Sequence, residues 1–181
     1  GVQTCALPIL DDIQQKGVLK VAVPQDFPPF GSVGADMQPH GYDIDMAGYL
    51  AQKLNVKLEL VPVTSANRIP YLQTKKVDLV ISSLGKNPER EKVIDFSHAY
   101  APFFLGVFGA DTEAVTKADE LAEKTIGVTR GAVEDMELSK IAPASTTVKR
   151  FEDNNTTLSA YLSGQVDLIA TGNIVVGEIA S

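Results

Sequence analysis

Tyr71-Leu72-Gln73-Thr74-Lys75-Lys76-Val77-Asp78-Leu79-Val80-Ile81 closes a short helical segment and enters a nearly continuous apolar run. A short apolar run bounded by turn signals reads as a strand buried on both faces, as in a parallel sheet. Residues 161–170 repeat the plan, from Tyr161-Leu162 to Val166-Asp167-Leu168-Ile169-Ala170. Two copies are too few for a solenoid and point instead to two similar α/β units. Asp78 and Asp167 tempt as a pair of acid–base carboxylates. Their near-identical settings at the starts of strands argue for a structural role.

The flanking sequence supports this plan. Residues 11–17 read as a leading helix and Val18–Val23 as a first strand, followed by a Gly-, Ser- and Pro-rich loop to His40-Gly41. Tyr42–Leu54 has helical spacing, with Met46, Ala47, Leu50 and Leu54 on one face and Asp43 and Asp45 in the first turn, where carboxylates favour the helix dipole. Val56–Val61 alternates as a strand, and residues 67–74 begin another short helix. The alternation then restarts: strand Thr125–Val128, helix Val133–Ile141, strand Val148–Phe151, helix Thr156–Leu162. Alternating elements of this kind predict βαβ units, right-handed crossovers and a doubly wound sheet. Ligands bind such sheets at the carboxyl ends of the strands. Phe103–Phe108 reads as a strand passing from one unit to the other, with Gly106 as a flex point; an ordinary buried strand is the alternative.

Composition narrows the function. The 181 residues carry 16 Lys and Arg against 23 Asp and Glu, a formal charge of −7, which argues against nucleic acid as the main partner. No apolar run approaches the ~20 residues of a membrane span. Cys5 is the sole cysteine and there are only two histidines, so neither a disulfide framework nor a multi-His metal site is expected. No P-loop, dinucleotide fingerprint, nucleophile elbow or HExxH is present, and no cofactor is expected. Residues 1–9, GVQTCALPI, lack the basic and apolar regions of a signal peptide. A lipoprotein site ending at Cys5 fits poorly, because Val2-Gln3-Thr4 is not a run of small residues. The stretch matches the translation of a sequencing-adapter oligonucleotide and is expected to be non-native.

Gly41-Tyr42-Asp43-Ile44-Asp45-Met46-Ala47, with the helical pattern that follows, resembles the signature of family 3 bacterial solute-binding proteins. Further matches come in the family's order: Pro28-Pro29-Phe30, Asp78–Gly85, Pro88-Glu89-Arg90 and Asp95-Phe96-Ser97. The resemblance runs from about residue 17 to the end. It implies a periplasmic-binding-protein-like type II fold: two Rossmann-like lobes joined by a hinge, here incomplete at the C-terminus. The expected division is a leader over 1–9, lobe one over 10–102, a hinge strand over 103–108 and a partial lobe two over 109–181. Family members continue beyond Ser181, so the expected second crossover strand and terminal helices are missing. A chain of this extent is expected to bind solute weakly or not at all, and the full-length parent to bind it well. The resemblance also implies a monomeric, extracytoplasmic protein, its parent carrying a signal peptide. Such a protein binds an amino acid or related organic acid and docks on the permease subunits of an ABC transporter.

The same resemblance assigns the site. Ser82, Ser83 and Gly85 would ring a ligand carboxylate, and Arg90 would pair with it in bidentate fashion; the alternative for Arg90 is a solvated surface arginine. Phe27 would cover the ligand with its ring, or else serve as a core residue. Ser65 stands where many members have a second aromatic. Arg68 would read an acidic ligand side chain or lie on a helix surface. Thr129 and Val133 would meet the carboxylate from a helix N-terminus. Many members hold the ligand ammonium with an Asp where Gly172 stands here, so Asp26, Glu134 or the carbonyl of Asn173 would substitute. The fold also supports cyclohexadienyl dehydratases, for which Asp26 or Glu134 would be the pocket acid. A sensor module of a larger receptor is a third reading. No catalytic residue is assigned.

Overall fold

The computed structural model describes residues 9–102, 104–110, 112 and 115–179. The leader sequence before Ile9, Phe103 of the expected crossing strand and Ser181 lie outside the described residues. In chain order the elements are α1 (Ile9–Lys16), β1 (Val18–Pro24), β2 (Asp26–Phe27), β3 (Gly31–Val33), β4 (Pro39–His40), α2 (Tyr42–Leu54), β5 (Lys57–Val63), α3 (Arg68–Gln73) and β6 (Leu79–Val80). They continue with α4 (Pro88–Glu91), β7 (Leu105–Phe108), a 3₁₀ turn (Ala118–Leu121), β8 (Thr125–Thr129), α5 (Val133–Ile141), β9 (Thr147–Phe151), α6 (Asn154–Leu162), β10 (Leu168–Gly172) and α7 (Asn173–Ile179).

Two compact units emerge. The first holds the described residues up to Gln25, Phe30–Val63 and Asn67–Leu84; the second holds Asp26–Pro29, Thr64–Ala66 and the chain from Gly85 on. The sequence-based division placed residues 85–102, and the two short segments 26–29 and 64–66, with the first lobe. Hydrogen bonds account for part of the difference: Arg90 binds the carbonyl of Gly131, and Asp26 binds Asn154.

The first unit is a parallel sheet in the order β5-β1-β6. Leu19, Val21 and Val23 alternate along one face of β1 and pack with Ile13 of α1 and with Ala47 and Ala51 of α2. On the other face Ala22 joins Val63 and Val77, with Tyr71 and Leu72 of α3 against them. A central strand thus carries helices on both faces, which explains its unbroken apolar reading. Leu19 is fully buried, and truncating such a leucine to alanine costs roughly 2–5 kcal/mol. α2 spans the residues its periodicity indicates; Asn55 ends it in the left-handed conformation (φ 53°), which Asn tolerates. The loop after β1 contains a short β3–β4 hairpin, with Ser32 opposite His40, that composition did not reveal.

The second unit repeats the arrangement. β9-β8-β10 are parallel, and β7 adds an antiparallel strand beside β10. Ile126, Val128, Leu138, Leu168 and Ala170 form its core, and Leu121 of the 3₁₀ turn closes it. The Phe103–Phe108 segment is therefore a strand over Leu105–Phe108 at the edge of this sheet. β6 forms ladder pairs only at Leu79 and Val80, shorter than the Val77–Ile81 run suggests. The backbone nonetheless follows β1 on both sides of these pairs, with the Asp78 N–H donating to Lys20 O and the Ile81 N–H to Ala22 O, both at 2.9 Å.

Candidate ligand-binding site

Asp78 and Asp167 prove to be matching structural bolts. Asp78 Oδ2 accepts the Lys20 N–H at 2.9 Å, and Asp167 Oδ2 accepts the Thr125 N–H at 2.8 Å. In each case the backbone returns a bond: Asp78 N–H to Lys20 O and Asp167 N–H to Thr125 O, both at 2.9 Å. These bolts sit at the amino ends of the strands. The candidate site residues gather mainly at the carboxyl ends, where open α/β sheets bind ligands.

In the first unit the structure brings together Arg68, Ser82 and Ser83. Arg68 opens α3, is buried, and donates from Nη1 to Ser82 O at 2.8 Å and to Ser83 O at 3.5 Å. It is not the surface arginine of the alternative reading. Ser82 is buried, and Ser83 adopts a positive φ of 43° while its N–H donates to Asp43 Oδ2 at 2.8 Å. Sequence reasoning gave Asp43 only a helix-dipole role; the turn depends on it directly. The Ser83 N–H is thereby engaged within the protein.

In the second unit Gly85, Arg90 and Val133 converge. Arg90 lies in the short α4, whose Asn87 cap accepts the Arg90 N–H at 2.8 Å, with Pro88 in the first turn. Its guanidinium donates to Gly85 O at 2.7 Å and to Gly131 O at 2.8 Å, and only 4% of the residue is exposed. Burial pushes the guanidinium below its usual pKa, and the Glu134 carboxylate pulls it back up. Gly85 must be small, because a Cβ there would lie 2.8 Å from Val133 Cγ2. Gly131 is doubly constrained: its φ is +77°, and a Cβ would stand 3.0 Å from Ala66 Cα and 3.4 Å from Ser65 O. Sequence reasoning missed Gly131 as a site residue, although Arg130-Gly131 between a strand and a helix was the signal.

Asp26 and Thr129 meet at a second place, the amino end of α6. Thr129 Oγ1 donates to Asn154 Oδ1 at 2.7 Å and lies 2.8 Å from Thr157 Oγ1. Asn154 donates its backbone N–H to Asp26 Oδ2 at 2.5 Å and its side-chain Nδ2 to Asp26 Oδ1 at 3.3 Å. Desolvation raises the Asp26 pKa, opposed by the Asn154 hydrogen bonds. Both its oxygens therefore bind α6. Phe27 is buried beside it in the sequence. Asn173 stands elsewhere, at the start of α7: its Oδ1 accepts the Phe104 N–H at 3.0 Å and its own N–H donates to Phe104 O at 2.8 Å. Asn173 thus starts a helix and ties α7 to the chain before β7. Among the described residues no group of three His, Cys, Asp or Glu side chains is placed to hold a metal, and no helix is long and apolar enough to cross a membrane.

Two doubly wound α/β units, with serines, glycines and buried arginines collected at strand ends, define a solute-binding protein of the type II periplasmic-binding-protein fold. The chain belongs to the bacterial extracellular solute-binding proteins, family 3, whose profile matches residues 19–144. It is 31% identical over 178 residues to the glutamine-binding protein of Geobacillus stearothermophilus, covering 94% of this chain and 67% of that protein. It is 29% identical over 170 residues to cyclohexadienyl dehydratase of Pseudomonas aeruginosa, covering 91% of this chain and 63% of the enzyme. The crystal structure of AncCDT-1, an ancestral amino acid-binding protein and precursor of cyclohexadienyl dehydratase, superposes with a TM-score of 0.89 at 30% identity. That likeness covers 96% of this chain and 78% of the other. The chain thus spans about two thirds of the length of these curated relatives.

Proposed function

We propose that the protein binds a small amino acid or related organic acid outside the cytoplasm and delivers it to the permease subunits of an ABC-type importer. The supporting observation is Arg90. Its guanidinium is buried, pushed below its usual pKa by desolvation and held by two carbonyl oxygens, an environment that a ligand anion would stabilise. A ligand α-carboxylate is such an anion, and arginine's planar fork suits it. Ser82, Ser83 and Gly85 are its proposed companions, with Thr129 and Val133 on the second unit and Phe27 and Ser65 as ligand-covering positions. The similarity to a glutamine-binding protein makes L-glutamine the first probe. Thermal-shift screening of the full-length protein against the common amino acids tests the reading, because a specific ligand raises the melting temperature by mass action. The expected result is a concentration-dependent rise with one or a few amino acids. No rise with any of them contradicts it.

The dehydratase reading has one observation in its favour, the raised pKa of buried Asp26. Against it, both oxygens of that carboxylate are engaged by Asn154, so the residue serves as a helix anchor rather than a poised acid. Incubation with prephenate is expected to give no product. Turnover that disappears in Asp26→Asn would reverse this assignment.

A further inference from the structure

Ser82 O and Ser83 N–H belong to one peptide group. Arg68 donates to its oxygen at 2.8 Å, and Asp43 accepts from its N–H at 2.8 Å. Both side chains are buried, Asp43 completely and Arg68 to 5% exposure, and Ser82 is 3% exposed. A cation at the oxygen end and an anion at the hydrogen end align with the peptide dipole. In a low-dielectric setting each bond is stronger than its counterpart in water. The orientation of that plane fixes the backbone on both sides, including Ser83 at φ 43°, a region a non-glycine residue occupies only when its surroundings hold it there.

We propose that Asp43 and Arg68 are positioning residues, a charge-paired clamp on the Ser82–Ser83 peptide that presents the two serine hydroxyls to the ligand carboxylate. The carboxylate role rests on the function proposed above; the clamp itself does not. Asp43 sits at the second position of α2, whose own N–H is tied to Phe30 O at 2.9 Å, so the clamp is referenced to a rigid helix. Arg68 opens α3, a second helix of the same unit. The ligand turn is therefore oriented by two helices, and Arg68 acts through the turn rather than by reading a ligand side chain.

The test uses the ¹⁵N-labelled full-length protein, ligand-free and with L-glutamine. Asp43→Asn keeps an acceptor and loses the charge; Asp43→Ala loses both. In Asp43→Asn the Ser83 amide is expected to exchange about tenfold faster and to shift upfield, with L-glutamine affinity lowered about tenfold, as for loss of one charge-assisted bond. The amides pairing β1 with β5 keep their protection, which a general loss of stability would not allow. Arg68→Gln is expected to move the same Ser83 resonance. If Asp43→Ala does not fold, the Asn variant carries the test. An unchanged Ser83 amide in folded Asp43→Asn overturns the clamp, as does an Arg68→Gln effect on affinity that leaves that resonance in place. Failure of the unsubstituted full-length protein to bind any amino acid overturns the proposed function instead, while Ser83 exchange still decides the clamp.

Discussion

The two units share a sheet order but differ at one end of it. β5-β1-β6 and β9-β8-β10 are parallel trios of the same topology, and each has an Asp bolt one residue before its last strand pairs. At the opposite ends of the strands the likeness stops. The first unit clamps Ser82–Ser83 between Asp43 and Arg68. The second holds Arg90 on two glycine carbonyls and ties Thr129 to Asn154. Bolts that resemble one another serve the common framework; ends that have diverged are where a ligand is met. The helix exits differ as well. Lys75 and Gly164 both take the left-handed conformation, at φ 58° and 74°, and the latter is a glycine where the former is not.

The largest expected effects come from the two buried arginines. Arg68→Ala strands the carbonyl of Ser82, Arg90→Ala strands those of Gly85 and Gly131, and each is expected to cost about 2–3 kcal/mol. Urea unfolding measures both, and a loss below about 1 kcal/mol for either would break the view that a buried arginine holds the site end of each unit. Asp78→Ala and Asp167→Ala are each expected to cost about 1–2 kcal/mol, within about 0.5 kcal/mol of each other. A clear inequality would show that the bolts are alike in geometry only. Gly164→Ala is expected to destabilise by about 1 kcal/mol and Lys75→Gly to stabilise by about 0.5 kcal/mol, read as opposite shifts in melting temperature. The smallest effect is a pH slope. Asp26 titrates above its unfolded value, so its favourable contribution is complete below about pH 4 and is lost as pH rises through the raised value. The stability of the unsubstituted chain minus that of Asp26→Asn should fall across that window; a rise would contradict the assignment.

Much of this was legible in the sequence, for physical reasons. α2 emerged over Tyr42–Leu54 because amphipathic periodicity and first-turn acids mark such a helix, and α5 matches the expected Val133–Ile141 in the strand–helix alternation. The structural role of Asp78 and Asp167 followed from their repeated context. The Tyr-Leu pairs gave a false register. Aligning the left-handed residues 75 and 164 sets Leu72, not Tyr71, opposite Tyr161, because helix termination and the Asp bolt fix the correspondence while the dipeptide does not. α4, with four residues, and the β3–β4 hairpin are too short to show periodicity. The links through Asn154 and Gly131 join residues far apart in the chain, which no local pattern encodes.

The central assertion is that Arg90 receives a ligand carboxylate. Calorimetric titration of the unsubstituted full-length protein and of its Arg90→Gln variant, each with the amino acid giving the largest thermal shift and with its carboxamide analogue, tests this most directly. The account predicts that the unsubstituted protein prefers the acid by about a hundredfold and that Arg90→Gln loses most of that preference. Equal affinity for acid and amide, or a preference that survives the substitution, would contradict it.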